Sequence, residues 1–332
     1  MRHKIYILSI FILTFLAGCE GALEEKVKFD LTVSSEGSSM IKDTVVVKKS
    51  TNVQFNFSGN PDFITFYSGE AGHEYSKKNL TESPVDEINS KLEFSVKTQY
   101  GNVATVEGSL KVYLSTEFSG LLKNNKQKDS VNVEQTAWVD ITEVCGIPQK
   151  NGVTSGLLTL PLNDYLGKRL TLAFLYSPKN NTAAQPVWEI YNLKIVNSDK
   201  VTEETVGQVQ AKDFGFTPLD MTALTDAYKT VTNNTEGVWN ISNAGASTSL
   251  IRIHSSGAGK ALHKDWLISN PIIINARTPD SGEGIKTITG RLDSYTHQYS
   301  KTGVYTVTMI GRKDNFETSS EIIKEVVIKV ID

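Results

Sequence analysis

The chain has 332 residues, of which 39% are hydrophobic and 21% are charged, and its formal net charge is -3. This composition is typical of a folded globular protein, and the scattered Lys and Arg argue against a nucleic-acid binder, which normally has a basic face. The length corresponds to about two domains of ordinary size.

The first residues have the pattern of a secretory leader. A positive head, Arg2 to Lys4, precedes an almost unbroken apolar run, Ile5 to Phe15, and Leu-Ala-Gly then leads directly into Cys19. This arrangement resembles the bacterial lipobox. The resemblance implies a signal peptide over residues 1–18, a diacylglycerol group on Cys19 and a lipidated tether over 19–26, so that acyl chains anchor the protein to a membrane. The alternative is an ordinary signal peptide with an incidental cysteine.

The acidic residues of the tether, in the sequence EGALEEK over 20–26, indicate where the anchored protein is located. They resemble the signal that sends Bacteroidetes lipoproteins to the outer face of the outer membrane. The expected location is therefore the outer membrane, lipid-anchored and facing the cell exterior. With Cys19 lipidated, Cys145 is the remaining thiol; no intrachain disulfide can form, and we predict that Cys145 is a small buried apolar residue.

From residue 27 onward the hydrophobic pattern is that of β-strands, and helical periodicity is almost absent. Apolar and polar residues alternate over 27–33, residues 44–47 are rich in β-branched side chains, and two strands flank the turn at 58–62. Near the other end, residues 297–311 form a hairpin pattern with Gly303 at the turn. These patterns predict an all-β protein.

Two segments far apart in the sequence resemble the two halves of one sandwich. Tyr299, Gly303 and the apolar strand after them resemble the closing half of a polycystic-kidney-disease-type (PKD-like) immunoglobulin sandwich, with Met309 or Ile310 in place of the family's leucine. Residues 44–67 resemble the opening half. The resemblance implies a split sandwich made of residues 27–89 together with 276–332.

The intervening residues, 90–275, are then an inserted domain. Segments 110–116, 137–142 and 188–195 resemble successive strands of a jelly-roll carbohydrate-binding or adhesin-type domain. Residues 265–268, Asp-Trp-Leu-Ile, resemble that family's opening strand, although here they follow the other strands. The expected fold is thus an immunoglobulin/PKD-like sandwich plus a jelly-roll β-sandwich. Residues 121–136, polar and of mixed charge, are predicted to be a solvated loop.

The motifs of the common enzyme classes are missing: there is no Gly-x-Ser-x-Gly, His-Glu-x-x-His, phosphate loop or Cys-x-x-Cys. The sequence therefore predicts a protein that is not an enzyme and has no cofactor and no metal. A glycoside hydrolase with an unrecognised carboxylate pair stays open, because such enzymes need only two acids. A glycine-rich turn contains Glu70, His73 and Glu74. We interpret them as structural residues of the turn and not as ligands of a cation.

Sugar recognition relies on exposed aromatic faces with neighbouring polar side chains. Trp188 and Trp266 lie in strongly apolar strands and are predicted to be buried. The candidate ligand-binding residues have more polar surroundings or lie in turns; they are Trp138, Trp239, Tyr67, Tyr75 and Tyr100.

Most of residues 27–332 resembles a group of Bacteroidetes surface lipoproteins of unassigned function. The resemblance is carried by Phe-Tyr-Ser-Gly-Glu-x-Gly at 66–72, the jelly-roll-like body and Asp-Trp-Leu-Ile at 265–268. It implies a non-catalytic glycan-binding protein that captures polysaccharide for a TonB-dependent uptake system, so its partners are a polysaccharide or oligosaccharide, the outer membrane and a transporter complex. An adhesin or structural protein with a protein partner is the alternative, and a glycoside hydrolase is the third hypothesis.

Overall fold

The computed structural model describes residues 26–222, 227–254, 257–314, 316 and 318–332. Strands account for 46% and helices for 8%, which confirms the all-β prediction. The chain forms two compact units: the split unit contains the described residues up to Leu80 together with Pro279–Asp332, and the inserted unit is Thr81–Thr278. The sequence placed the two boundaries after 89 and after 275.

The described elements are short to medium strands with little helix. The strands in chain order are β1 (Phe29–Ser35), β2 (Ser39–Ile41), β3 (Thr44–Lys48), β4 (Asn52–Gly59), β5 (Phe63–Tyr67), β6 (Ile88–Gln99), β7 (Leu110–Ser115), β8 (Val139–Asp140), β9 (Leu158–Pro161), β10 (Arg169–Tyr176), β11 (Val187–Asp199), β12 (Thr205–Gln210), β13 (Thr217–Asp220), β14 (Trp239–Asn243), β15 (Leu250–Ile253), β16 (Asp265–Ile268), β17 (Ile272–Ile273), β18 (Glu283–Lys286), β19 (Ser294–Gln298), β20 (Gly303–Asp314) and β21 (Ser319–Ile331). The α-helices are α1 (Val103–Val106) and α2 (Lys126–Gln135), and 3-10 turns occur at Tyr75–Lys77, Asn163–Tyr165 and Ala211–Phe214.

The split unit is a sandwich of two sheets. One sheet has the order β1-β4-β19 and the other β18-β5-β20-β21-β3-β2. The β3–β21 pairing is parallel, whereas the long pairing of β20 with β21 is antiparallel. Residues 44–67 and 297–331 both contribute strands to this pair of sheets, and the inserted unit enters between β5 and β18.

Alternation along the strands explains which face of each sheet is buried. In β4, Val53 and Phe55 are fully buried, while Asn52 and Gln54 on the other face are exposed. Successive side chains of a strand point to opposite faces, so this alternation fixes the core side of the sheet. The core between the two sheets is completed by aliphatic and aromatic residues of the other strands, among them Val45, Val47, Ile64, Phe66, Tyr299, Val307, Met309, Ile328 and Val330.

The inserted unit is a second two-sheet sandwich. One sheet has the order β13-β16-β10-β7-β8, and the other has the order β14-β15-β11-β6-β9. β17 adds to β10, and β12 adds to β11. A large apolar cluster fills the space between the sheets; its members include Leu92, Phe94, Val112, Leu172, Phe174, Trp188, Ile190, Phe214, Trp239, Ile251, Ile253 and Leu267.

The prediction of a solvated loop over 121–136 is wrong, because this segment contains helix α2. Asn125 caps the helix by accepting a hydrogen bond from the Lys128 amide at 3.0 Å. Asp129 is 1% exposed, and its carboxylate accepts hydrogen bonds from the amides of Leu122 and Lys123 and from the Tyr228 hydroxyl. The buried residues of α2 are Asp129 and Val133, so the helix lacks the apolar stripe by which a sequence reveals a helix.

Cys145 is buried in the core of the inserted unit, as the sequence predicts, with 5% exposure. Burial raises the pKa of its thiol to about 11, and the thiolate is the reactive form. We expect Cys145 to react very slowly with a disulfide reagent at neutral pH in the native protein, and rapidly once the protein is unfolded in guanidinium chloride. The measurement is thiol titration of the Cys19→Ala chain, in which Cys145 is the sole cysteine. Rapid reaction of Cys145 in the native protein would contradict its buried environment.

Candidate ligand-binding site

A polar groove of about 340 Å³ lies on the outer face of the sheet that contains β14 and β15. Amide side chains and one guanidinium dominate its lining. The lining residues are Thr232, Asn233, Asn234, Asn240, Asn243, Leu250 and Arg252. We refer to this surface as the amide groove.

Strand alternation places these side chains outside the core. In β15, Ile251 and Ile253 are fully buried between the sheets, so Arg252 points to the outer face. In β14, Trp239 points inward and Asn240 outward, and the pairing of the two strands sets Asn240 directly opposite Arg252. The groove therefore depends on the pairing of β14 with β15.

A buried carboxylate lies beside Arg252 on the neighbouring strand. Glu189 is paired directly with Arg252, and its Oε1 lies 3.6 Å from the arginine Nε. Glu189 also accepts hydrogen bonds from Gln99 at 3.0 Å and from the Tyr191 hydroxyl at 2.7 Å. Burial, together with the adjacent Glu189, raises the pKa of Tyr191 to about 12, so this hydroxyl stays a donor at neutral pH. Glu189, itself hydrogen-bonded to Gln99 and Tyr191, thus places a carboxylate beside the guanidinium.

The amides of the groove offer mainly N–H donors. The Asn240 Oδ1 accepts hydrogen bonds from the backbone amide and the hydroxyl of Ser242, at 3.0 and 2.7 Å. The Asn233 Oδ1 accepts a hydrogen bond from Thr235 at 2.9 Å. Because these oxygens are engaged within the protein, the NH₂ groups and Arg252 remain to bind hydroxyl and carbonyl oxygens. This chemistry suits a polar ligand rich in oxygen.

None of the five predicted aromatic residues lines this groove. Trp239 is 1% exposed and belongs to the core, where its Nε1 donates a hydrogen bond to the main-chain oxygen of Asp265 at 3.3 Å. It offers no face to a ligand at the outer surface. Its polar flank made it a candidate ligand-binding residue, but strand alternation turns Asn240 outward and Trp239 inward.

Trp138 is half-buried in an aromatic cluster on the outer face of the other sheet. It stacks on Trp266 with ring centroids 5.6 Å apart and contacts Phe118 at 5.2 Å. Its Nε1 donates a hydrogen bond to the Val133 carbonyl at 2.8 Å. Trp266 is buried, as the sequence predicts.

The three tyrosines lie apart from the groove as well. Tyr67 is 9% exposed and packs edge-on against the half-buried Tyr75, with ring centroids 5.3 Å apart. The Lys78 ammonium lies 3.8 Å from the centroid of the Tyr75 ring. Tyr100 is 60% exposed, in a turn with a left-handed backbone conformation. The sequence signal for the groove was instead the cluster of asparagines around Trp239.

The turn with Glu70, His73 and Glu74 is held by contacts within the split unit. Glu70 pairs with His297 at 2.9 Å, and Glu74 pairs with Lys77 at 2.7 Å. The His73 ring nitrogen lies 2.7 Å from the Ser281 carbonyl oxygen. Gly69 at the start of the turn has a φ of +79°, and a β-carbon there would collide with the backbone of Thr306, so the position requires glycine. Among the described residues, no cluster of three or more His, Cys, Asp or Glu side chains is arranged to hold a metal ion.

The proposed lipid attachment site, Cys19, lies outside the described residues. Within the part of the chain that the structure describes, no helix has the length and apolar character needed to cross a membrane.

Fold and groove together define an all-β protein of two sandwich units with a polar surface site on the inserted unit. The family model described as "Domain of unknown function (DUF5017)" matches residues 18–216, and the chain belongs to this family. A comparison with curated proteins gave no match. Glu189 and Tyr191 lie inside the matched range, whereas the residues that line the amide groove lie beyond it.

Proposed function

We propose that the protein is a non-catalytic glycan-binding lipoprotein of the Bacteroidetes outer surface. In this proposal the lipid on Cys19 anchors it to the outer membrane, and the protein holds polysaccharide close to a TonB-dependent uptake system. The observation that carries the proposal is the amide groove, where asparagine amides and Arg252 converge on an exposed sheet face.

The chemistry of the groove matches a polyhydroxylated ligand. Sugars present many hydroxyl oxygens and little charge, and asparagine and arginine side chains are suitable donors for them. A groove of this kind binds weakly, since each net hydrogen bond contributes only about 0.5–1.5 kcal/mol. Weak binding is sufficient at a membrane surface, because tethering of many copies raises the effective concentration of sites.

The anchor is supported by a different part of the chain. The positive head, the apolar run and Leu-Ala-Gly before Cys19 together form a leader with a lipidation signal. In this proposal the lipid holds the protein at the membrane, and the polar groove of the inserted unit binds the glycan.

Affinity electrophoresis tests the proposal directly. The chain from residue 26 is run in native gels that contain plant, fungal or host polysaccharides, and incubation mixtures are assayed for released reducing sugar. We expect retarded migration in at least one glycan without release of product. Release of sugar would identify a hydrolase instead. Absence of retardation in every glycan would contradict the proposal, and capture of a surface protein in pull-downs would then identify an adhesin.

The groove itself is tested by removal of its amides. The double substitution Asn240→Ala and Asn243→Ala is expected to weaken binding roughly tenfold, as expected for the loss of about two weak hydrogen bonds. The matched control is Asn89→Ala, an exposed asparagine on β6 of the same unit. Dissociation constants come from the dependence of migration on glycan concentration. If both variants bind the glycan equally more weakly than the wild type, or if neither binds it more weakly, the glycan binds elsewhere on the protein.

A further inference from the structure

A second, smaller pocket of about 170 Å³ lies at one end of the inserted sandwich, between its two sheets. β13 and β16 supply residues from one sheet, and the start of β14 supplies residues from the other. The lining residues are Pro218, Asp220, Ala227, Lys229, Gly237, Val238, Trp239 and Asp265. We refer to it as the end pocket.

Asp265 is the unusual residue of this pocket. It is 1% exposed and shares the inward face of β16 with the core residue Leu267. Among the described residues, no group forms a hydrogen bond with either carboxylate oxygen, and the His263 Nδ1 lies 3.8 Å from Oδ2. Nearly all buried polar groups of folded proteins have a hydrogen-bond partner. A buried carboxyl group without one, at the wall of a cavity, points to a ligand.

Asp220 lies directly opposite Asp265 on the neighbouring strand, in a different environment. Its Oδ1 accepts hydrogen bonds from the backbone amide and the hydroxyl of Thr222, at 2.7 and 2.6 Å. Burial and the nearby Asp220 raise the pKa of Asp265 to about 8. At neutral pH the carboxyl group of Asp265 is therefore mostly protonated and can donate a hydrogen bond, while oxygen atoms of Asp220 can accept one.

Apolar residues also line the pocket. Trp239 and Val238 come from β14 and the residue before it, and Pro218 comes from β13. Gly237 has a φ of +66°, and a β-carbon there would collide with the His263 ring, so the backbone itself forms part of the wall. Apolar surface combined with a few hydrogen-bonding groups is the common composition of a small-molecule site.

We propose that the end pocket binds one neutral sugar ring, with Asp220 and Asp265 hydrogen-bonded to adjacent hydroxyls and the apolar residues against the carbon skeleton. The sugar class rests on the proposed function, and the inference extends it: the inserted unit recognises the terminal residue of a glycan as well as its chain. The size of the pocket suits a single ring. A cationic ligand is disfavoured, because Lys229 also lines the pocket and a protonated Asp265 carries no charge.

Calorimetric titration of the full chain with glucose, galactose, mannose, xylose and N-acetylglucosamine tests the pocket. We expect saturable binding of at least one of these sugars, and we expect Val238→Trp, which fills the cavity, to weaken it at least tenfold. Asn240→Ala with Asn243→Ala serves as the control, because these residues line the amide groove and not the end pocket. Saturable binding that Val238→Trp leaves unchanged, or binding of tetramethylammonium in place of every sugar, would overturn the proposal.

The pH dependence of sugar binding gives a second test, which does not need the cavity-filling variant. Binding is expected to weaken between about pH 6 and about pH 9 as Asp265 loses its proton, and Asp265→Asn is expected to remove this dependence. The other titratable groups that face Asp265 are Asp220, Lys229 and His263, with Tyr176 opposite it on β10. An unchanged pH profile in Asp265→Asn would show that Asp265 does not contact the sugar.

The two proposals fail in different experiments. Retardation of the wild-type chain by a polysaccharide, with no saturable binding of any monosaccharide, would leave the proposed function standing and refute the end pocket as a sugar site. Monosaccharide binding without retardation by any polymer would support the end pocket and refute the polysaccharide-holding function.

Discussion

Replacement of Trp188 by alanine is expected to lower the free energy of unfolding of the inserted unit by about 3–5 kcal/mol. The Trp188 side chain is fully buried between the two sheets, and its Nε1 donates a hydrogen bond to the Ser109 hydroxyl at 2.9 Å. The substitution removes a large apolar surface, leaves a cavity and leaves that hydroxyl without its donor. Since whole domains are stable by only about 5–15 kcal/mol, a substantial part of the stability is lost.

Tryptophan fluorescence is a suitable probe for this measurement. The four tryptophans, Trp138, Trp188, Trp239 and Trp266, all lie in the inserted unit, so their emission during denaturant unfolding reports on that unit. Trp138→Ala is the matched control, and because Trp138 is only half-buried its effect should be clearly smaller. Equal midpoints for the two variants would contradict the packing described for Trp188. Loss of glycan binding in Trp188→Ala would reflect instability and not contact.

Replacement of Asp265 by asparagine is expected to make the inserted unit more stable than the wild type at alkaline pH, by a few kcal/mol, and to have a much smaller effect near pH 4. Burial, followed by the charge of Asp220, raises the pKa of Asp265 from 3.8 to about 8. Between these values the folded state holds a proton that the unfolded state has released. Stability from this residue is therefore full below the lower pKa and falls as pH rises to the upper one, by about 1.4 kcal/mol for each unit of difference.

The difference between variant and wild type isolates this residue from the other titrating groups. Chemical unfolding of both proteins, followed by tryptophan fluorescence at several pH values, gives the two stability curves. They should diverge progressively from about pH 4 to about pH 8 and then run parallel. Asp164→Asn is the control, because Asp164 is an exposed residue in a 3-10 turn of the same unit. Curves that stay parallel throughout would show that Asp265 ionises in the fold as it does in water.

Local patterns were sufficient for much of the fold. The alternation of Val53 and Phe55 with Asn52 and Gln54 predicted both the strand and its buried face, because the period of a strand is fixed by backbone geometry. The strongly apolar strands around Trp188 and Trp266 predicted the burial of these side chains, and the small, apolar character of cysteine predicted that of Cys145. Local patterns failed for helix α2, whose buried contacts come from one valine and one hydrogen-bonded aspartate, and hydrophobic periodicity cannot reveal such a helix.

The sites depended on pairings between distant residues. The asparagines beside Trp239 were visible in the sequence as a polar flank, but their meeting with Arg252 and Glu189 follows from the order β14-β15-β11. In the sequence, Asp265 is the first residue of the strand motif Asp-Trp-Leu-Ile, and nothing there marks it as a site residue. Its burial, its lack of a hydrogen-bond partner and its position opposite Asp220 arise from neighbouring strands and from the facing sheet.

By itself, the sequence determined the all-β class and the alternation of buried and exposed faces, since both are encoded in neighbouring residues. The leader over residues 1–18 stays a prediction. Only the tertiary structure decided that Trp239 is a core residue, that asparagines and an arginine form a groove, and that two aspartates share a pocket. The physical reason is that burial and electrostatic environment are properties of spatial neighbours, and strand pairing chooses those neighbours from positions far apart in the chain.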